Sequence, residues 1–152
     1  MSAPRSKSQS ASDWRLVLLD RGDLLSVWPT LVDDLNRTFG RVQTDLTHSL
    51  LFKAAQTGNV TFWLVFRDDV LVGSFSIAHL PHGVADILTL AGNDAAEWVP
   101  AVLPDLLHRL CGAGGNLLTF IGRRGWRRWM ERLGFTVDIT HEDGLVTMSR
   151  NI

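Results

Sequence analysis

The middle of the chain alternates apolar with other residues at the period of two that is typical of β-strands. The first such run places four apolar side chains on one face: Val60, Phe62, Leu64 and Phe66. The pair Asp68-Asp69 and the short segment 81–83 then separate two further runs, 70–79 and 84–90. Strands joined by such short turns pair with their neighbours, so we predict an antiparallel three-stranded meander.

Three other stretches repeat their apolar residues at helical spacing. The first covers residues 23–39 and contains Pro29, which favours division of the helix into two pieces. The second, Asp45–Gly58, has an aspartate at its N-cap position. The third carries the apolar residues of 98–110, and its Pro100 is expected near the first turn.

The most informative stretch is 116–135, which contains a strand pattern and a helix pattern in succession. Residues 117–121 are almost continuously apolar and predict a strand buried on both faces. Gly122 ends that run, and one apolar helical stripe follows. Its members are Trp126, Trp129, Met130 and Leu133. Gly134 stands where a left-handed residue ends a helix, and Phe135 begins another strand pattern.

The predicted order of elements is β-α-α-β-β-β-α-β-α-β-β. A helix between the fourth and fifth strands makes a crossover, so these two strands are predicted to be parallel neighbours. We therefore expect an α/β (α+β) fold with a mixed, mostly antiparallel central sheet and helices on both faces. This single domain is expected over residues 13–152, and the polar, serine-rich residues 1–12 are expected to form a flexible tail.

Composition narrows the possible functions. The chain has 152 residues and a formal net charge of −1, so no global field favours nucleic acid or a membrane surface. Its single cysteine excludes an internal disulfide, and its histidines lack ligand spacing, so no metal is expected. The sequence has neither a run of ~18 apolar residues nor an apolar segment near its start. We expect no membrane association, no secretion by a signal peptide, and a cytoplasmic location.

The pattern resembles that of the GNAT acyltransferase superfamily. The ending Met130–Phe135, MERLGF, is similar to the end of that family's last helix. The Asp68-Asp69 turn followed by Val-Leu-Val-Gly is similar to its central hairpin, and the order of elements agrees over residues 14–150. The resemblance implies the GNAT fold and, for active members, acyl transfer from acetyl-CoA.

In that family a glycine-rich loop after the fourth strand opens the third helix and holds the pyrophosphate with main-chain N–H groups. The resemblance places candidate cofactor-binding residues at Ala91, Gly92 and Asn93, and under the alternative function below Arg123 and Arg124 would contact the phosphates as well. The loop has one glycine, and it brings two carboxylates, Asp94 and Glu97, near the anion. Because like charges repel, we expect a degenerate site without a cofactor; acetyl-CoA is the cofactor only under the alternative function below.

The resemblance also implies a tyrosine in the last helix as the acid that protonates the departing thiolate. The matching position is Met130, and the chain contains no tyrosine. A thioether has no proton to donate. The candidate general bases are Asp86 and His79 in the middle strands. An aspartate such as Asp86 is more often a polar residue at a strand edge, and a histidine near a turn, such as His79, is more often simply solvated.

Two hypotheses for function follow. The missing loop and tyrosine favour a GNAT-like protein of the small type encoded by tailed bacteriophages, which the C-terminal half also resembles. Such a protein would act as a virion, assembly or host-interaction component, located in the cytoplasm of the host cell or in the virion, and would bind a protein partner. The alternative is an acetyl-CoA-dependent N-acyltransferase with an atypical cofactor grip.

The arginines around the last helix form either a solvated face or a surface for phosphate or an acidic partner. They are Arg123, Arg124, Arg127, Arg128 and Arg132. Nucleic acid is not expected as the partner, because Trp126 and Trp129 fall on the opposite stripe and not between the charges.

Overall fold

The structure, a computed structural model, describes residues 13–41 and 48–152. Within these ranges the chain forms seven strands and four α-helices in the predicted order. The strands are β1 (Trp14–Leu18), β2 (Val60–Arg67), β3 (Val70–Leu80), β4 (Val84–Gly92), β5 (Leu117–Gly122), β6 (Thr136–Thr140) and β7 (Val146–Asn151). The helices are α1 (Leu24–Arg41), α2 (His48–Thr57), α3 (Ala95–Gly112) and α4 (Arg127–Arg132). The expected tail, residues 1–12, and the expected N-cap Asp45 lie outside the described residues.

All seven strands belong to one sheet, in the order β1-β2-β3-β4-β5-β7-β6. β4 and β5 are parallel, and every other neighbouring pair is antiparallel. The predicted mixed, mostly antiparallel sheet is therefore confirmed. Asp68 and Asp69, with φ of 49° and 70°, both adopt the left-handed conformation that a two-residue hairpin turn between β2 and β3 requires.

Helices cover the two faces of the sheet unequally. One face packs against α3 and α4 and carries the larger apolar cluster, which includes Phe75, Ile77, Leu118 and Phe120. The other face packs against α1 and α2 and uses side chains such as Phe62. Among the described residues, this second cluster draws on β1 to β4 and the segments beside them and contains nothing from β5, β6 or β7. The sheet face formed by those three strands is thus not buried by α1 and α2.

This unequal cover corrects one prediction. β5 was expected to be buried on both faces, but among its apolar side chains only Leu118 and Phe120 are buried, whereas Ile121 is 53% exposed. The apolar run reflects a strand whose one face packs on α3 and α4 and whose other face is only partly buried among the described residues. Sequence periodicity does not reveal how far a neighbouring helix extends, so this distinction needed the structure.

Prolines also interrupt the helices less than predicted. α1 continues through Pro29, whose missing N–H would have bonded to the carbonyl four residues earlier. That residue is Leu25, which is 74% exposed, so water can satisfy its carbonyl. α3 begins at Ala95, which places Pro100 in the second turn and not in the first. No described helix combines the length and apolar character needed to cross a membrane.

Candidate functional site

A cleft opens between the C-terminal ends of β4 and β5. The two strands pair from Val84/Leu117 only as far as Ile87/Phe120. Beyond that pair, β4 continues to Gly92 beside β3, and β5 continues to Gly122 beside β7. The main-chain polar groups that face into the cleft have no partner strand there, so a ligand can bond to them.

A β-bulge lies at the point where the cleft opens. On β3, Ser76 pairs with Thr89 and the next residue, Ile77, pairs with Ile87. Leu88 is therefore the extra residue of β4. A bulge bends its strand and redirects the neighbouring main chain, which is consistent with the divergence of β4 from β5 at this position.

The mouth of the cleft combines a helix N-terminus with basic side chains. Because β4 and β5 are parallel, their C-terminal ends meet at one edge of the sheet, so the start of α3 and the Arg123-Arg124 pair flank the same opening. Asp94, at the N-cap of α3, makes no side-chain capping bond. Among the described residues, the N–H groups of Ala95 and Ala96 therefore have no capping acceptor, and such groups bind anions.

The repulsion expected from Glu97 is offset in the structure. Its Oε1 accepts a hydrogen bond from Nη1 of Arg67 at 2.9 Å, so the carboxylate is paired with a cation on β2. The Arg67 guanidinium also lies 5.0 Å from the ring centroid of Trp14, which holds it in place. Of these two carboxylates, Asp94 is therefore the one that forms no salt bridge among the described residues.

The loop that precedes α3 is held by buried side chains. Trp98, which is 1% exposed, donates from Nε1 to the carbonyl oxygen of Asn93 at 2.9 Å. Its ring packs edge-on against Phe75. Gly92 has φ of 125°, and a Cβ there would collide with the main chain of Gly73 on β3. Glycine is required at this position because of both its dihedral angle and this close approach.

Asp86 lies at the closed end of the cleft. It pairs in register with Thr119 of β5, and Thr119 Oγ1 donates to Asp86 Oδ1 at 2.6 Å. Partial burial raises the pKa of Asp86, and the bond from Thr119 opposes this rise. The resulting carboxyl group has a proton affinity above the ordinary value for aspartate, as a general base for an amine requires.

The structure does not bring His79 and Asp86 together. His79 pairs in register with Ala85, which belongs to the α3-side cluster, whereas Asp86 projects on the opposite face. His79 Nε2 is hydrogen-bonded to Thr61 Oγ1 at 2.8 Å, and partial burial lowers the pKa of the imidazole. His79 also stands near the end of β3, at the sheet edge away from the mouth of the cleft, so we do not assign it to the site.

Met130 and the arginines occupy different environments. Met130 is fully buried at 0% exposure, so this position faces the core and supplies no acid. Arg127 pairs with Glu131 at 3.5 Å, a local bond within α4. Arg123 and Arg124 precede α4 and are exposed beside the cleft mouth. No group of three or more metal-binding side chains occurs among the described residues.

Comparison with solved structures identifies the fold. A PaiA N-acetyltransferase from Thermoplasma acidophilum, in complex with coenzyme A, matches with a TM-score of 0.67 and 13% identity, covering 92% of this chain and 99% of that one. The ribosomal-protein-S18-alanine N-acetyltransferase from Escherichia coli has a TM-score of 0.67 and 16% identity, with 92% and 94% covered. The aminoglycoside 6'-N-acetyltransferase from Enterococcus faecium has a TM-score of 0.70 and 12% identity, with 90% and 96% covered.

These likenesses show that the chain has the fold of the GNAT acetyltransferases. No family model matches the sequence, and no significant match to a curated protein sequence was found. The expected GNAT fold is therefore confirmed, whereas the resemblance to phage-encoded proteins finds no support. One neighbour holds coenzyme A, so the expectation of a site without a cofactor is not supported either.

Proposed function

We propose that this chain is an acetyl-CoA-dependent N-acyltransferase, the second of the two functions that its sequence suggested. The observation that carries the proposal is the open β4–β5 cleft, with the uncapped start of α3 at its mouth and Asp86 at its closed end. The fold neighbours named as acetyltransferases support the same class of reaction. Neither the structure nor the neighbours favour a virion or assembly role.

The cofactor would be held at the mouth of the cleft. The N–H groups at the start of α3 would bond to its pyrophosphate, and the positive φ of Gly92 would let the main chain turn from β4 toward that helix. Arg123 and Arg124 would contact phosphate oxygens from the other side of the opening. When bound, acetyl-CoA supplies an acyl group activated as a thioester. The unpaired edge of β4 from Leu88 onward would orient that group through main-chain hydrogen bonds.

The acceptor amine would approach over the face of β5 and β7 that α1 and α2 do not bury. Asp86 and Thr119 face this side, and the exposed Ile121 extends the surface towards the mouth. Asp86 would take one proton from the acceptor's ammonium group, giving a neutral amine and a protonated carboxyl. The raised pKa of Asp86 favours this transfer, because a more basic carboxylate competes better for the proton.

Two measurements test the proposal together. Isothermal titration with CoA should show binding that weakens in the double variant R123A/R124A. The control variant R132A removes an arginine from the far end of α4, so its affinity should stay near that of the wild type. A thiol-release assay with acetyl-CoA and a panel of amines and peptides should show turnover that D86N abolishes. Absence of CoA binding by the wild-type chain would overturn the proposal.

A further inference from the structure

Asp86 and Thr119 face each other across the last paired part of the parallel strands. They form the third register pair of β4 and β5, one residue before the final pair, Ile87/Phe120. Side chains of register partners lie on the same face of a sheet, so the carboxyl and the hydroxyl meet directly beside the opening of the cleft. Each side chain is half-buried.

The hydrogen bond between them occupies one carboxylate oxygen. Thr119 Oγ1 donates to Oδ1 at 2.6 Å, the length typical of a hydroxyl bonded to an ionised carboxylate. No bond is found to Oδ2 among the described residues. β3 presents Ala78 opposite Asp86, and the buried residues Leu31 and Leu35 of α1 are apolar. Within the described part of the chain, Thr119 is thus the polar group that fixes this carboxyl.

We propose that Thr119 is a positioning residue for acyl transfer. Its hydroxyl holds Oδ1 so that Oδ2 accepts the proton of the acceptor ammonium group, leaving a neutral amine and a protonated Asp86. The inference rests on the proposed function, because it assigns Asp86 the role of base. It adds a residue on a second strand that neither the sequence nor the family resemblance singled out.

Conservative substitutions separate this role from a merely structural one. Thr119→Val keeps the β-branched shape that suits a strand and removes only the hydroxyl. Thr119→Ser keeps the hydroxyl and removes the methyl group. The matched control is Thr61→Val on β2, which removes a hydroxyl bonded to His79 at 2.8 Å on the opposite face of the sheet.

The experiment combines carboxyl NMR with kinetics on the full chain. Aspartate labelled with ¹³C at the carboxyl carbon reports each titration, and the resonance missing in D86N identifies Asp86. In T119V the Asp86 titration should move to higher pH, because the lost bond favoured the ionised form. The acid limb of the kcat/KM profile for the amine should move with it. At a fixed pH on that limb, kcat/KM should fall about tenfold while the affinity for CoA stays unchanged.

The control variants decide the outcome. T119S should restore both the titration and the rate, and T61V should leave both as in the wild type. An Asp86 titration and a rate profile unchanged in T119V would overturn the inference. If T119V moves the titration but the wild-type chain transfers no acyl group to any amine, the base role fails and the positioning role fails with it. The two failures are distinguishable: in the first the Asp86 titration is unchanged in T119V, and in the second it shifts although no acyl group is transferred.

Discussion

The Arg67–Glu97 ion pair provides a quantitative test of whether an anion binds at the start of α3. In the wild type the pair contributes no net charge beside the cleft mouth. Arg67→Gln leaves one unpaired negative charge there, Glu97→Gln leaves one positive charge, and the double variant returns to zero. Both side chains are about half exposed, so the pair is worth at most about 1 kcal/mol of stability and every variant should remain folded.

Coulomb's law gives the expected size of the effect. In water, two unit charges roughly 8 Å apart have an interaction energy of about 0.5 kcal/mol. A pyrophosphate diester carries two such charges, so each single variant should change the free energy of CoA binding by about 1 kcal/mol, or about fivefold in Kd. R67Q should weaken binding, E97Q should strengthen it, and R67Q/E97Q should resemble the wild type.

Isothermal titration calorimetry with CoA at low ionic strength measures these differences in Kd. The same titrations in added salt should show smaller effects, because the screening length at 0.1 M is about 10 Å. The reasoning is refuted if R67Q and E97Q change the Kd in the same direction. It is also refuted if neither variant changes the Kd at low salt, because the anion then binds elsewhere.

Three further predictions concern stability. D86N should raise the free energy of unfolding at neutral pH, because burial raises the pKa of Asp86 and so penalises the ionised form in the folded state. Denaturant melts at a series of pH values should show this gain disappearing below the unfolded pKa of about 3.9. M130A should lower the free energy of unfolding, measured by chemical denaturation, by about 2–5 kcal/mol, since the Met130 side chain is fully buried. A decrease of less than about 1 kcal/mol would contradict this packing. S76A should lower the free energy of unfolding by about 1–2 kcal/mol, because Ser76 is hydrogen-bonded to Thr89. S74A should not lower it, since Ser74 Oγ has no hydrogen-bond partner among the described residues. Equal losses of stability in thermal unfolding would contradict this contrast.

The fold was predictable because its signals are local. A left-handed glycine, Gly134 with φ of 93°, ends α4 where the sequence placed it. The crossover helix between the fourth and fifth strands forced a parallel pair, and that pair in turn brings Gly92 and Arg123 to one edge of the sheet. Hydrophobic period and turn residues carried this information without any knowledge of tertiary contacts.

The site was less predictable because its chemistry depends on pairs that are distant in sequence. Glu97 suggested repulsion of phosphate, yet its partner Arg67 lies 30 residues away on β2. Thr119 gave no sign of function, because its bond to Asp86 joins residues 33 apart. The packing of α3 against the sheet assembles the first pair, and the register of β4 and β5 assembles the second. A charge count along the chain therefore misjudged the electrostatics of the cleft mouth.

Amide NMR during a titration with CoA tests the central claim most directly. The claim is that the start of α3 and the unpaired edge of β4 form a cofactor site. We expect the largest shifts at the N–H groups of Ala95 and Ala96 and at Leu88–Gly92 on β4, with little change along β1. Unchanged amides in these segments at saturating CoA, or no binding at millimolar concentrations, would contradict the account.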